Sequence, residues 1–113
     1  MRKTLNPTQL SDSAVKAIEN FHTDCVNEVE QTVQSNKIVV VGMKQNPVVS
    51  KARKILTEAN LDYKYIEHGS YFSKWKQRLA IKLWSGWPTF PMVFVDGKLI
   101  GGCAELSQWL KNK

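Results

Sequence analysis

Residues 84–103, WSGWPTFPMVFVDGKLIGGC, hold more of the fold than any other twenty residues of the chain. Ser85-Gly86-Trp87-Pro88 interrupts any helix that precedes it, because proline lacks the N–H and glycine favours a turn. Met92–Val95 is an apolar run of strand length, and Lys98–Ile100 is a second one. Asp96-Gly97 between them is the two-residue turn that tolerates positive φ, so the pair predicts a β-hairpin. Gly101-Gly102 then marks a close backbone approach at a strand end. Ala104–Leu110 reads as a short closing helix.

Working outward, residues 71–84 carry Phe72, Trp75, Leu79 and Leu83 at helical spacing, predicting a buried stripe. Lys74, Lys76, Arg78 and Lys82 fall on the opposite, solvated side. Tyr63–Ile66 predicts a short strand, ended by His68-Gly69-Ser70. Before it, Asn46-Pro47 has the chemistry of a helix start, an amide N-cap followed by proline at the first helical position. Ala52, Ile55, Leu56 and Ala59 supply that helix's inner face, and Asn60 stops it. Lys37–Val41, KIVVV, is the continuous β-branched run of a strand buried on both faces, closed by Gly42. Residues 13–34 predict one amphipathic helix through Val15, Ile18, Phe21, Cys25, Val26, Val29 and Val33, with Cys25 as an inert packed thiol. Residues 1–12 show no period and read as a flexible lead-in to a domain over 13–113. The order is α-β-α-β-α-β-β-α. Strand–helix–strand requires a right-handed crossover between parallel strands, and the hairpin adds an antiparallel pair. The result is an α/β fold, a four-stranded mixed sheet with helices on both faces.

Composition narrows the function. With 113 residues, 42% hydrophobic, the chain suits a single core. Cys25 and Cys103 are the only cysteines, too few for a disulfide framework or a tetrahedral metal site. No apolar run reaches the roughly 18 residues of a membrane span, so no membrane partner and a cytoplasmic location are expected. The net charge of +6 is uneven. Residues 1–36 carry three basic and five acidic side chains, whereas 37–113 carry 13 and five. A basic body suits small anions or merely solvated lysines. With no nucleic-acid motif present, no nucleic-acid partner is expected.

The residues also support a resemblance. The segment 84–103 is similar to the signature of monothiol glutaredoxins, an aromatic residue, S-x-W-P-T-[FY]-P, a strand, a glycine turn and [LI]-I-G-G-C. Arg78 and Lys82, nine and five residues before Trp87, and Val39-Val40-Val41-Gly42-Met43-Lys44 also resemble that family, over roughly residues 15–111. The resemblance implies a thioredoxin-like (glutaredoxin) fold with a cis peptide before Pro91. It further implies an edge where Thr89, Phe90 and Pro91 pair with glutathione or a partner's peptide. Lys44, Arg78 and Lys82 would face a carboxylate there, with Gly102 and Cys103 near the γ-glutamyl end.

The chemistry departs from the pattern. Asn46-Pro47-Val48-Val49 occupies the place of the family's C-P-Y-C or C-G-F-S, so Asn46 replaces the nucleophilic cysteine. A cysteine at a helix start reacts because N–H groups and the dipole stabilise its thiolate. An amide has no such chemistry. The resemblance therefore implies a non-catalytic binding module of thiol redox biology, with no metal, no iron–sulfur cluster and at most weakly bound glutathione. Ala104 also replaces the Asp that usually follows the family's I-G-G-C, and Glu105 compensates only in part. The alternative is an active glutathione-dependent thiol-disulfide oxidoreductase working through Cys103. That thiol leaves three roles open: a packed side chain, a redox-modifiable group or a relocated nucleophile. A monomer is expected.

Overall fold

A computed structural model describes residues 2–70 and 72–113. The chain forms α1 (Asp12–Glu19), α2 (Thr23–Ser35), β1 (Ile38–Gly42), α3 (Pro47–Glu58), β2 (Lys64–Glu67), α4 (Trp75–Ser85), β3 (Met92–Val95), β4 (Lys98–Gly101) and α5 (Cys103–Lys111). The four strands make one mixed sheet in the order β2-β1-β3-β4. β1 runs parallel to β2 and antiparallel to β3, and β3 is antiparallel to β4. The β-branched run in β1 is buried along its whole length, as a central strand requires. Val39 and Val41 join one core with Val29, Ile66, Ile81 and Met92; Ile38 and Val40 join the other with Ala52, Leu56, Val93 and Leu106. Helices therefore cover both faces, α2 and α4 on one, α3 and α5 on the other. In the hairpin, Asp96 and Gly97 adopt φ of 52° and 80°, the geometry their dipeptide predicts.

Three expectations need correction. The helix predicted over 13–34 is two helices, because His22 takes a left-handed conformation at φ 47° and starts α2 afresh. The lead-in is not featureless. Pro7–Gln9 forms a 3-10 turn in which Asn6 Oδ1 accepts from Thr8 N and Gln9 Oε1 accepts from Asn6 N, both at 3.0 Å. Arg2 also lays its guanidinium against Gly86, the C-cap of α4, where helix carbonyls attract a cation. The third correction is the largest: the helix expected over 71–84 starts only at Trp75, after a left-handed Lys74, so Phe72 precedes it, and α4 is turned the other way. Phe72, Trp75, Leu79 and Leu83, expected inside, are 93%, 57%, 37% and 66% exposed, while Arg78, Ala80 and Ile81 are buried.

Candidate functional site

Register places the site. Gly42 pairs with Glu67, Val41 with Met92, and Val93 with Gly101. The ends of β1, β2 and β4 and the start of β3 thus lie along one end of the sheet. Lys44, Asn46, His68, Pro91 and Gly102 all follow or precede those ends directly. Four separate segments are brought to one edge by topology alone.

At the start of α3, Asn46 Oδ1 accepts from Val48 N at 2.9 Å and Val49 N at 3.1 Å. Two of the free donors of the helix terminus are therefore spent inside the chain. Lys44 is exposed, and its backbone N donates to Gly69 O at 2.7 Å, pinning the turn after β1 to the turn after β2. Opposite, the Phe90–Pro91 peptide is cis. Thr89 is exposed there, whereas Phe90 and Pro91 are buried. Ser85 Oγ accepts from Trp87 N at 3.1 Å and lies 3.3 Å from Met92 Sδ, fixing the loop between α4 and β3. Lys82 brings its Nζ to 5.6 Å from the Phe90 ring centroid, a cation–π approach beside the cis proline.

The start of α5 closes the edge. Gly102 N donates to Glu105 Oε1 at 2.8 Å, so the Glu105 carboxylate is turned back onto its own backbone. Gly101, at φ +124°, leaves room for that side chain; a Cβ there would meet Glu105 Cγ. Cys103 is 8% exposed, packed with Val93, Val95 and Leu106 rather than presented to solvent.

Lys82, Phe90, Pro91 and Gly102 are thus gathered, with Thr89, Lys44 and Asn46 on the same end of the sheet. Arg78 is not free to join them. Its Nη1 donates to His68 O at 2.9 Å and Ser73 O at 2.6 Å, and the side chain is 7% exposed. The guanidinium expected to face a ligand instead ties the β2–α4 connection to α4. The physical reason is that a desolvated guanidinium requires fixed acceptors, and two carbonyls supply them.

Two buried nitrogens at this end had no signal in the sequence. Trp87 Nε1 and His68 Nε2 have no hydrogen-bond partner among the described residues. Burial pushes the His68 imidazole pKa down, nearby Lys74 and Arg78 push the same way, and Glu28 opposes. Cys25, half-buried on α2, has its thiol pKa raised, by burial first and then by Glu28 and Asp24, so its thiolate is disfavoured.

Comparison with known proteins decides the family. The glutaredoxin family model matches residues 38–100, from β1 through β4. The chain belongs to the glutaredoxin family. A glutaredoxin-like protein of Dictyostelium discoideum is 53% identical over 98 residues, spanning 87% of this chain and 80% of that one. The mitochondrial glutaredoxin-2 of Rattus norvegicus is 32% identical over 88 residues, 74% of this chain but only 53% of its own length. The chain thus spans about half of that longer glutaredoxin. Among solved structures, a mutated buckwheat glutaredoxin superimposes with a TM-score of 0.73 at 26% identity, covering 83% of this chain and 86% of that one. A buckwheat glutaredoxin–glutathione complex gives 0.70 at the same identity and coverage. The thioredoxin-like glutaredoxin fold read from the sequence is therefore the fold of this chain.

Proposed function

We propose that this glutaredoxin-family domain is a binding module without thiol chemistry, in which Asn46 stands where the family places its nucleophilic cysteine. One observation carries the reading: the first turn of α3 is capped by the Asn46 amide through Val48 N and Val49 N. A thiolate at that position would be stabilised by those same donors and the helix dipole. The amide uses them for capping. No cysteine lies between Cys25 and Cys103, so shifting the alignment does not restore a nucleophile.

The ligand is glutathione or a peptide of similar charge, laid along the cis-proline edge. The relative crystallised with glutathione supports this ligand class. Lys44 and Lys82 would attract its carboxylate, Thr89 and the Phe90 backbone would pair with its peptide groups, and Gly102 would close the site. Affinity is expected to be weak. Gly102 N already donates to Glu105, Ala104 offers no side-chain contact, and Arg78 is withdrawn. Losing one charge-assisted contact costs about 1.5–3 kcal/mol, roughly a ten-fold to over a hundred-fold loss of affinity. An iron–sulfur cluster held through the helix-start thiolate does not fit an amide oxygen that already accepts two N–H bonds.

Calorimetry with reduced glutathione, beside a glutathione-dependent mixed-disulfide reduction assay, tests the reading. Expected are weak binding and no turnover. Asn46→Cys is expected to yield a thiol with a pKa below about 8.5 and measurable turnover. Wild-type turnover that disappears in Cys103→Ser would overturn the proposal in favour of the buried thiol.

A further inference from the structure

Trp75, Leu79 and Leu83, the three large apolar side chains of the α4 stripe, face outward, although a helix that packs on a sheet ordinarily buries its largest residues. The stripe borders a groove of about 470 Å³ between α4 and the N-terminal helices, whose lining includes Ile18, Phe21, Val26, Leu79, Leu83 and Trp84. Ile18, on the far wall, is itself 60% exposed. An exposed apolar surface of this continuity marks an interaction site.

The charge on the two walls says what covers it. α1 and α2 expose Asp12, Glu19, Asp24, Glu28 and Glu30 against a single lysine, Lys16, and Glu19 lines the groove itself. The α4 wall carries the exposed Lys76 and no acidic residue, with the exposed Lys74 at its N-cap; Arg78 is turned inward and Lys82 leans onto Phe90, so neither belongs to this wall. No ion pair joins the two walls among the described residues. Among the described residues the one ion pair is Lys54–Glu58, on α3. An anionic lipid surface or nucleic acid would meet the lysines but be repelled by the acidic wall. A surface with an acidic wall, an apolar centre and a basic wall is complementary to itself after a two-fold rotation. Each acidic wall then meets a basic wall, and the apolar centres meet one another.

We propose that the α4 face and its groove form the isologous interface of a homodimer, with Leu79, Leu83 and Ile18 at the apolar centre and Glu19 of one copy facing Lys76 of the other. This replaces the monomer expected from the sequence. It is independent of whether the cis-proline edge binds glutathione.

Sedimentation velocity of the full chain across a concentration series tests it. The expected result is a reversible species of twice the 12.9 kDa chain mass. Leu83→Glu is expected to weaken association by roughly tenfold or more, as removal of an apolar interface centre does. Circular dichroism melting checks that the variant, altered at an exposed position, remains folded; Leu79→Lys is the second disrupting variant. Lys76→Glu is expected to weaken the dimer, and adding Glu19→Lys to restore it, with both effects shrinking at high salt. A chain that stays monomeric throughout would overturn the proposal, as would a dimer indifferent to both leucine variants. Monomers that co-sediment with phosphatidylserine–phosphatidylcholine vesicles would reassign the face to a lipid surface.

Discussion

Asn46 closes the start of α3 with its own side chain, its Oδ1 accepting from Val48 N and Val49 N. Asn46 was legible because capping is local: an amide followed by proline can satisfy the first N–H groups of a helix within three residues. Its replacement by Ala is expected to cost about 1 kcal/mol, measured by urea denaturation. Arg78 was not legible, because its partners are the carbonyls of His68 and Ser73, and no pattern of residue types announces a carbonyl acceptor. Arg78→Met is expected to destabilise the domain by about 2–4 kcal/mol, since one buried and one partly buried acceptor lose their donor. A merely solvated arginine at that position would give a change near zero. His68 adds a pH dependence. Its pKa in the folded chain lies below the ordinary 6.5, so the unfolded state binds the proton more readily. The associated stability is complete above about pH 6.5 and is lost as pH falls from there toward the lowered value, by at most about 1.4 kcal/mol per pH unit. Urea midpoints taken from pH 7.5 to 5 should show this loss, and His68→Leu should flatten it.

At the level of elements, α4 is where patterning misleads. The spacing of Phe72, Trp75, Leu79 and Leu83 is that of a buried stripe, and hydrophobic periodicity alone cannot tell a core face from a docking face. The face that does pack is built from Ile81, Ala80 and the stem of Arg78, smaller in apolar content but anchored by hydrogen bonds. Ile81→Ala should therefore cost about 2–5 kcal/mol in a denaturation experiment. Leu83→Ser should change monomer stability by no more than about 0.5 kcal/mol. Reversed magnitudes would mean that the stripe packs inside. The break at His22 was hidden for a similar reason. Apolar spacing continues across it, and a left-handed residue without glycine leaves no mark in the sequence. The hairpin was fully legible, because Asp96-Gly97 specifies its own turn.

For the molecule as a whole, the order of elements was readable, since strand–helix–strand and a tight hairpin leave few ways to assemble four strands. The placement of β1 in the interior followed from its uninterrupted β-branched run. Stability is expected to be distributed unevenly around that strand. α1 contains no buried residue, while β1 is buried throughout. In hydrogen exchange on Leu83→Glu, so that self-association offers no protection, α1 amides should exchange at least about 100-fold faster than those of β1. Equal rates would mean that α1 belongs to the cooperative core. The strand order also has a consequence for synthesis on the ribosome. β1 is made first but lies between partners that appear later: Val39 pairs with Lys64, 25 residues on, and Ile38 with Val95, 57 residues on. The nascent chain must therefore carry an apolar strand with one open edge until the hairpin emerges, which makes the interval between β2 and β3 the stage most exposed to misassociation.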